Sequence, residues 1–109
     1  MTEYVGLGKL ADFTEGEIYK LEVRGAVIDV VQIEGKVYAF SDACPHWGVS
    51  LASGYGYVTN RLSIVCMFHD SAFDLTSGSP INGPALDYLP VYDVRIEDGE
   101  VLLGWGEGQ

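Results

Sequence analysis

The sequence predicts an all-β chain, a small antiparallel sandwich or barrel whose strands flank a loop-rich insert. Three observations carry that expectation. Short stretches alternate polar and apolar residues with a period of two. Dipeptides ending in glycine separate them at hairpin spacing. No long stretch repeats with the period of 3.6 that a packed helix requires.

Residues 17–24 alternate, with Tyr19, Leu21 and Val23 on one side and Lys20, Glu22 and Arg24 on the other, as in a half-buried strand. Arg24-Gly25 breaks this run, and residues 26–33 follow, rich in β-branched side chains and with Asp29 as the one charged residue among them. Such a run suits a more fully buried strand. Glu34-Gly35 is read as a two-residue hairpin turn, and 36–40 as the returning strand. Towards the end, Tyr92, Val94 and Ile96 share a face, Asp98-Gly99 makes a turn, and 100–103 pairs back. Helix is confined to a single turn around 10–13. Between these strands, residues 41–85 hold both cysteines, both histidines and three of the four prolines. Strand-like pieces remain at 62–65 and 72–75, but loops dominate. With 109 residues and no linker composition, the expectation is one domain, 1–109, with 41–85 inserted in a β framework.

Sixteen acidic residues stand against six basic ones, a formal net charge of −10. That balance leaves nothing to neutralise a row of phosphates or an anionic bilayer, which argues against nucleic-acid and membrane partners. The apolar runs are far shorter than the ~20 residues of a membrane span, and the first residues lack the basic and apolar regions of a secretion signal. The expected location is the cytoplasm, where thiols stay reduced and two cysteines suit a metal or redox role better than a disulfide.

The chemistry is concentrated in Cys44-Pro45-His46 and Cys66-Met67-Phe68-His69, separated by the 19 residues 47–65. Every cysteine and every histidine of the chain belongs to this set. Thiolate and imidazole suit zinc or iron rather than magnesium or calcium. Both pairs are too tight for a helix-borne zinc finger, although a zinc-stabilised Cys2His2 interaction module remains the alternative. Two loops that each offer one Cys and one His could instead grip a two-iron cluster and lock each other in place.

The Cys-x-His and Cys-x-x-His pairs resemble those of the Rieske [2Fe–2S] family, and most closely the soluble Rieske ferredoxins of bacterial multicomponent ring-hydroxylating oxygenases. The likeness includes Gly48 and Leu51, Phe73-Asp74-Leu75 with Thr76-Ser77-Gly78, Gly83-Pro84-Ala85, and Leu89-Pro90 before the closing hairpin. It implies one cluster per chain, with Cys44 and Cys66 on the inner iron and His46 and His69 on the outer iron near the surface. Pro84 matches the loop that covers the cluster. Neutral imidazoles in place of two thiolates raise the potential, to about −150 to +300 mV across such centres.

Two departures stand out. The spacing between the pairs is long for the family, and the extra length is assigned to a turn at 55–60. Asp70 follows His69 where the family often has glycine. It tolerates positive φ better than most residues, and its charge favours the oxidised state. Ser71 and Phe73 occupy positions where high-potential members carry serine and tyrosine hydroxyls. One donor is kept and the other lost, and no second cysteine pair ties the loops, so a low-to-intermediate potential is expected. Ferric iron on the imidazoles also favours loss of their ring protons, which implies a potential that falls at alkaline pH. Trp47, Met67 and Phe68 are expected to pack around the loops and offer an apolar rim for docking.

The resemblance implies an electron carrier that takes one electron from a flavin-dependent reductase and passes it to a terminal oxygenase, by transient docking and as a monomer. Both histidines are committed to the cluster, so no second iron site for oxygen chemistry can be assembled. The small Rieske-like subunit of an assimilatory reductase is the other member of the family that fits.

Overall fold

The structure, a computed structural model, describes residues 3–43, 49–54, 56–59, 62–67, 71–82 and 88–105. Eleven strands are formed among the described residues: β1 (Glu3–Lys9), β2 (Ile18–Val23), β3 (Ala26–Ile33), β4 (Lys36–Ser41), β5 (Gly56–Thr59), β6 (Ser63–Cys66), β7 (Ser71–Asp74), β8 (Pro80–Asn82), β9 (Val91–Tyr92), β10 (Val94–Glu97) and β11 (Glu100–Trp105). They make three antiparallel sheets, in the orders β1-β11-β10, β2-β3-β4-β9 and β5-β6-β7-β8. Two single 3₁₀ turns, Leu10–Asp12 and Leu51–Ser53, are the other regular elements among the described residues. Among the described residues no helix is long and apolar enough to cross a membrane.

The hairpins expected from the sequence form at the expected dipeptides. Val23 faces Ala26 across Arg24-Gly25, Ile33 faces Lys36 across Glu34-Gly35, and Glu97 faces Glu100 across Asp98-Gly99. In each turn both residues take positive φ, from +50° at Arg24 to +85° at Gly25. That is the geometry whose twist matches the flanking strands, and the second position calls for glycine.

Strand β3 explains how the sheets stack. Ile28 and Val30 enter one core with Phe13, Val23, Val37, Ala39, Val101 and Leu103. Val31 enters the other with Phe40, Leu51, Ile64, Cys66, Phe73, Leu75 and Leu89. Alternate residues of a strand point to opposite faces, so β2-β3-β4-β9 is a middle layer, buried on both faces around β3. The β1-β11-β10 sheet closes the first core and β5-β6-β7-β8 closes the second. A strand between two cores reads as a continuous apolar run, as the sequence of β3 does.

The structure differs from the sequence expectation in three places. Residues 3–9, which carry glycines at 6 and 8, are a strand on β11, with a register shift between Gly6 and Gly8. The stretch expected as a turn at 55–60 contains β5, whose Gly56–Thr59 pair with Ser63–Cys66. This strand is only four residues long and carries two aliphatic or aromatic side chains, too little for period two to register. The aligned face of Tyr92, Val94 and Ile96 is divided between two sheets: Ala39 pairs with Tyr92, whereas Val94 pairs with Leu103. Asp93 marks the crossing. Its carbonyl accepts from Gly104 N–H at 2.7 Å and its carboxylate from the Tyr4 hydroxyl at 2.6 Å.

Candidate metal centre

Cys66 is the one member of the four-residue ligand set among the described residues. It ends β6, paired with Ser71 at the start of β7, and is fully buried in the second core. Cys44, His46, Trp47, His69, Asp70 and Pro84 lie outside the described residues. The β6–β7 hairpin aligns Ile64 with Phe73 and Cys66 with Ser71, so the segment 67–70 bearing His69 is its connection.

Ser71 is fully buried, and its Oγ has no hydrogen-bond partner among the described residues. A buried hydroxyl left unbonded costs about 1–3 kcal/mol. A sulfur acceptor beside Cys66 would remove that cost. Phe73 is also fully buried and, having no hydroxyl, offers its neighbours only apolar surface. The buried thiol, the orphaned hydroxyl and the apolar surround fit an iron–sulfur group held at this end of the sheet. Leu51, singled out next to the first Cys/His pair, is likewise in the second core. Met67 is exposed, as are Ile81 and Tyr88 on either side of 83–87.

The segment beyond 83–87 is fixed to both neighbouring sheets. Leu89 N–H donates to the Gly78 carbonyl at 2.8 Å, and Ser41 N–H to the Pro90 carbonyl at 2.9 Å. The chain after Pro84 is thereby tied to the β7–β8 turn and to the end of β4, where the first Cys/His pair begins. Asp74 caps the β7–β8 turn by accepting from the backbone and hydroxyl of Thr76, bonds that hold its carboxyl below the usual carboxylate range. Gly78 sits at φ +78°, and a Cβ there would lie 1.9 Å from the Leu89 carbonyl oxygen. Only glycine fits, which gives a physical reason for the Thr76-Ser77-Gly78 motif.

One polar cluster was not anticipated from the sequence, at the end of β4. Lys20 faces Asp29 across β2 and β3, and its ammonium lies 3.6 Å from the Asp42 carboxylate and 3.1 Å from Ser50 Oγ. Asp29 is fully buried and Asp42 nearly so. Burial first, then the hydrogen bond and negative charge of Asp42, push the Asp29 carboxyl up to about 8, against the weaker pull of Lys20. Burial also acts to raise Asp42, but bonds from Asp29, Ser50 and the Ala52 N–H, with the charge of Lys20, outweigh it and hold Asp42 low. A charged residue interrupting an apolar strand was the visible signal.

Comparison with known proteins agrees with this reading of the centre. The profile of the Rieske [2Fe–2S] domain matches residues 3–93. The ferredoxin subunit of 3-phenylpropionate/cinnamic acid dioxygenase from Escherichia coli K12 is 31% identical over 100 residues, 92% of each chain. Among solved structures, the ferredoxin of carbazole 1,9a-dioxygenase from Nocardioides aromaticivorans IC177 superposes with a TM-score of 0.84 at 29% identity, over 92% of this chain and 95% of that one. A chain from a complex of reduced oxygenase and oxidized ferredoxin in carbazole 1,9a-dioxygenase superposes at 0.81, also 29% identical, covering 92% and 91%.

Proposed function

This chain belongs to the Rieske [2Fe–2S] family, and on that premise we propose that it is the ferredoxin component of a ring-hydroxylating dioxygenase system. It carries one electron from a flavin-dependent reductase to a terminal oxygenase and transforms no organic substrate itself. The observation that carries the proposal is similarity running from end to end, at 92% of both chains, to a dioxygenase ferredoxin subunit.

Cys44, His46, Cys66 and His69 would hold a single centre per chain, the cysteines on one iron and the histidines on the other. When bound, the [2Fe–2S] cluster supplies reversible one-electron chemistry. The protein's own part is to bury the cysteine side and present the histidine side. Cys66 is buried in one core with Leu51 and Phe73, Ser71 would offer its hydroxyl, unbonded among the described residues, to a sulfur, and Pro84 would belong to the covering loop. Asp70 adds negative charge, and Trp47 contributes to the apolar rim. With Phe73 in place of a hydroxyl donor, the midpoint potential is low to intermediate for the family.

The chain acts in the cytoplasm as a monomer of one domain, 1–109, with 41–85 as the cluster-binding part. Its docking is brief and steered by its net charge of −10 towards basic partner surfaces, so association slows as salt rises. Stopped-flow mixing of the dithionite-reduced protein with an oxidised ring-hydroxylating oxygenase tests the proposal. The expected result is one electron transferred per chain, at a rate that falls with ionic strength. Absence of transfer to any oxygenase of the class, from a protein with its full iron content, overturns it.

A further inference from the structure

We propose that Met67 is an oxidation site that regulates docking: hydrogen peroxide converts its exposed thioether to a sulfoxide, and the added oxygen slows electron transfer to the partner until a reductase removes it. This rests on the reading of the chain as an electron carrier that docks through an apolar rim.

The position of Met67 follows from the strand before it. Cys66 ends β6, fully buried in the second core, and Met67 is the next residue, 58% exposed. Successive residues of a strand turn to opposite faces, so a buried Cys66 puts its neighbour outside. Strands β6 and β8 both run antiparallel to β7 and therefore lead to the same end of their sheet. The chain leaves β6 there at Met67, and leaves β8 there at Asn82, one residue after the exposed Ile81. Tyr88, beyond 83–87, is exposed as well. Exposed apolar groups gathered at one end of a sheet mark a contact surface.

Of the large apolar side chains exposed among the described residues, Met67 alone contains sulfur, and the other methionine of the chain is Met1. A thiol reacts as its thiolate, whereas a thioether needs no proton loss to act as a nucleophile. Cys66 is 0% exposed, so an oxidant arriving from solvent reaches Met67 before it. The Met67 sulfur attacks one oxygen of the peroxide and the O–O bond breaks. The second oxygen leaves as hydroxide and takes the proton of the first, giving water. Sulfur loses two electrons and peroxide gains them. A sulfoxide reductase reverses the change. The oxidant belongs to the same chemistry: oxygen that receives two electrons and two protons without an organic acceptor is hydrogen peroxide, and the partner proposed above reduces oxygen.

The sulfoxide changes what the rim offers. A thioether side chain is unbranched and polarisable and adapts to an apolar surface. Its sulfoxide is polar, and a polar group pressed against an apolar partner without a donor opposes binding. The change weakens docking and leaves the metal ligands as they were.

The iron-loaded parent and the variants Met67→Leu and Met67→Gln test this. Each is treated with graded hydrogen peroxide, mapped by peptide mass spectrometry and checked for its cluster by visible absorption. After removal of peroxide it is reduced and mixed in stopped flow with an oxidised ring-hydroxylating oxygenase. In the parent, one oxygen should appear on Met67 before the cluster bleaches. Transfer at limiting partner should then be roughly ten-fold slower, as for one polar group buried unbonded at the interface. Methionine sulfoxide reductase with its thiol reductant should restore the rate. Whatever rate Met67→Leu has, the same peroxide should leave it there, and Met67→Gln should be slow without peroxide. The inference is overturned if the cluster bleaches while Met67 is still a thioether, or if the sulfoxide forms without slowing transfer. It is equally overturned if the reductase fails to restore the rate, if peroxide slows Met67→Leu as it slows the parent, or if untreated Met67→Gln matches the parent. An untreated parent that holds its cluster and passes no electron would instead contradict the carrier reading itself.

Discussion

The two faces of the middle sheet bury similar numbers of apolar side chains for different ends. The face towards β1-β11-β10 buries Phe13, Ile28, Val30, Val101 and Leu103, and the part-buried Gln32 amide at its edge is bonded to the Leu10 and Phe13 carbonyls. The face towards β5-β6-β7-β8 also contains a thiol, an unbonded serine hydroxyl and a carboxyl pair. Each of these polar groups costs stability unless it is given a partner. The first face therefore holds the fold together, and the second accepts cost in order to shape a site.

Substitutions at the contact points of the site face should have the largest effects. Gly78→Ala places a Cβ on the Leu89 carbonyl, and Phe73→Ala empties fully buried volume. Each should cost about 3 kcal/mol or more, measured by chemical denaturation, and Gly78→Ala should also speed iron loss. A cost below about 1 kcal/mol for Gly78→Ala would mean that the tie between the β7–β8 turn and Leu89 is loose.

Of comparable size is a pH effect confined to the site face. The Asp29 carboxyl is raised from an ordinary 3.8 to about 8, with Asp42 and Lys20 facing it. Below pH 4 it is neutral in both the folded and the unfolded chain. As pH rises, the unfolded chain ionises first and the folded state loses ground, by up to about 1.4 kcal/mol per pH unit, until the folded group itself ionises near 8. The melting temperature of Asp29→Asn should therefore gain on that of the parent between about pH 4 and pH 8 and then level off. A difference independent of pH would show that Asp29 is ionised in the fold.

Ser71→Ala should separate structure from function. Without metal, the change removes an orphaned hydroxyl and should leave the apoprotein as stable or more stable by about 1 kcal/mol. With metal, loss of a donor to sulfur should lower the midpoint potential, read by spectroelectrochemistry. An unchanged potential would leave Ser71 as a turn residue. The smallest effect belongs to the exposed rim of the other face. Arg95→Ala, which removes an ion pair to Glu97 and a cation–π contact with Tyr4, should change stability by less than about 1 kcal/mol.

The hydrocarbon face was the more legible in the sequence. Alternation in 17–24, the apolar run of β3 and the three turns ending in glycine specified the middle sheet and the β10–β11 hairpin, because period and turn chemistry are local. Strand β1 was not recognised, since its glycines at 6 and 8 dilute the pattern. Strand β5 was taken for a turn, because its pairing is fixed by β6 rather than by its own four residues. On the site face, residue type and spacing singled out Cys66, the family resemblance pointed to Ser71 and Phe73, and the structure brings these three together on one hairpin. The meeting of Lys20, Asp29 and Asp42 was invisible because it joins three strands through register, although Asp29 already stood out as a charge within a buried run.

The central claim is that this second face exists to hold a two-iron centre through mixed sulfur and imidazole ligation. The most direct measurement is the EPR spectrum of freshly purified protein before and after dithionite, with iron and acid-labile sulfide assayed on the same sample. The account predicts two irons and two sulfides per chain, silence when oxidised and a rhombic signal when reduced. A colourless protein containing zinc and no labile sulfide would contradict it.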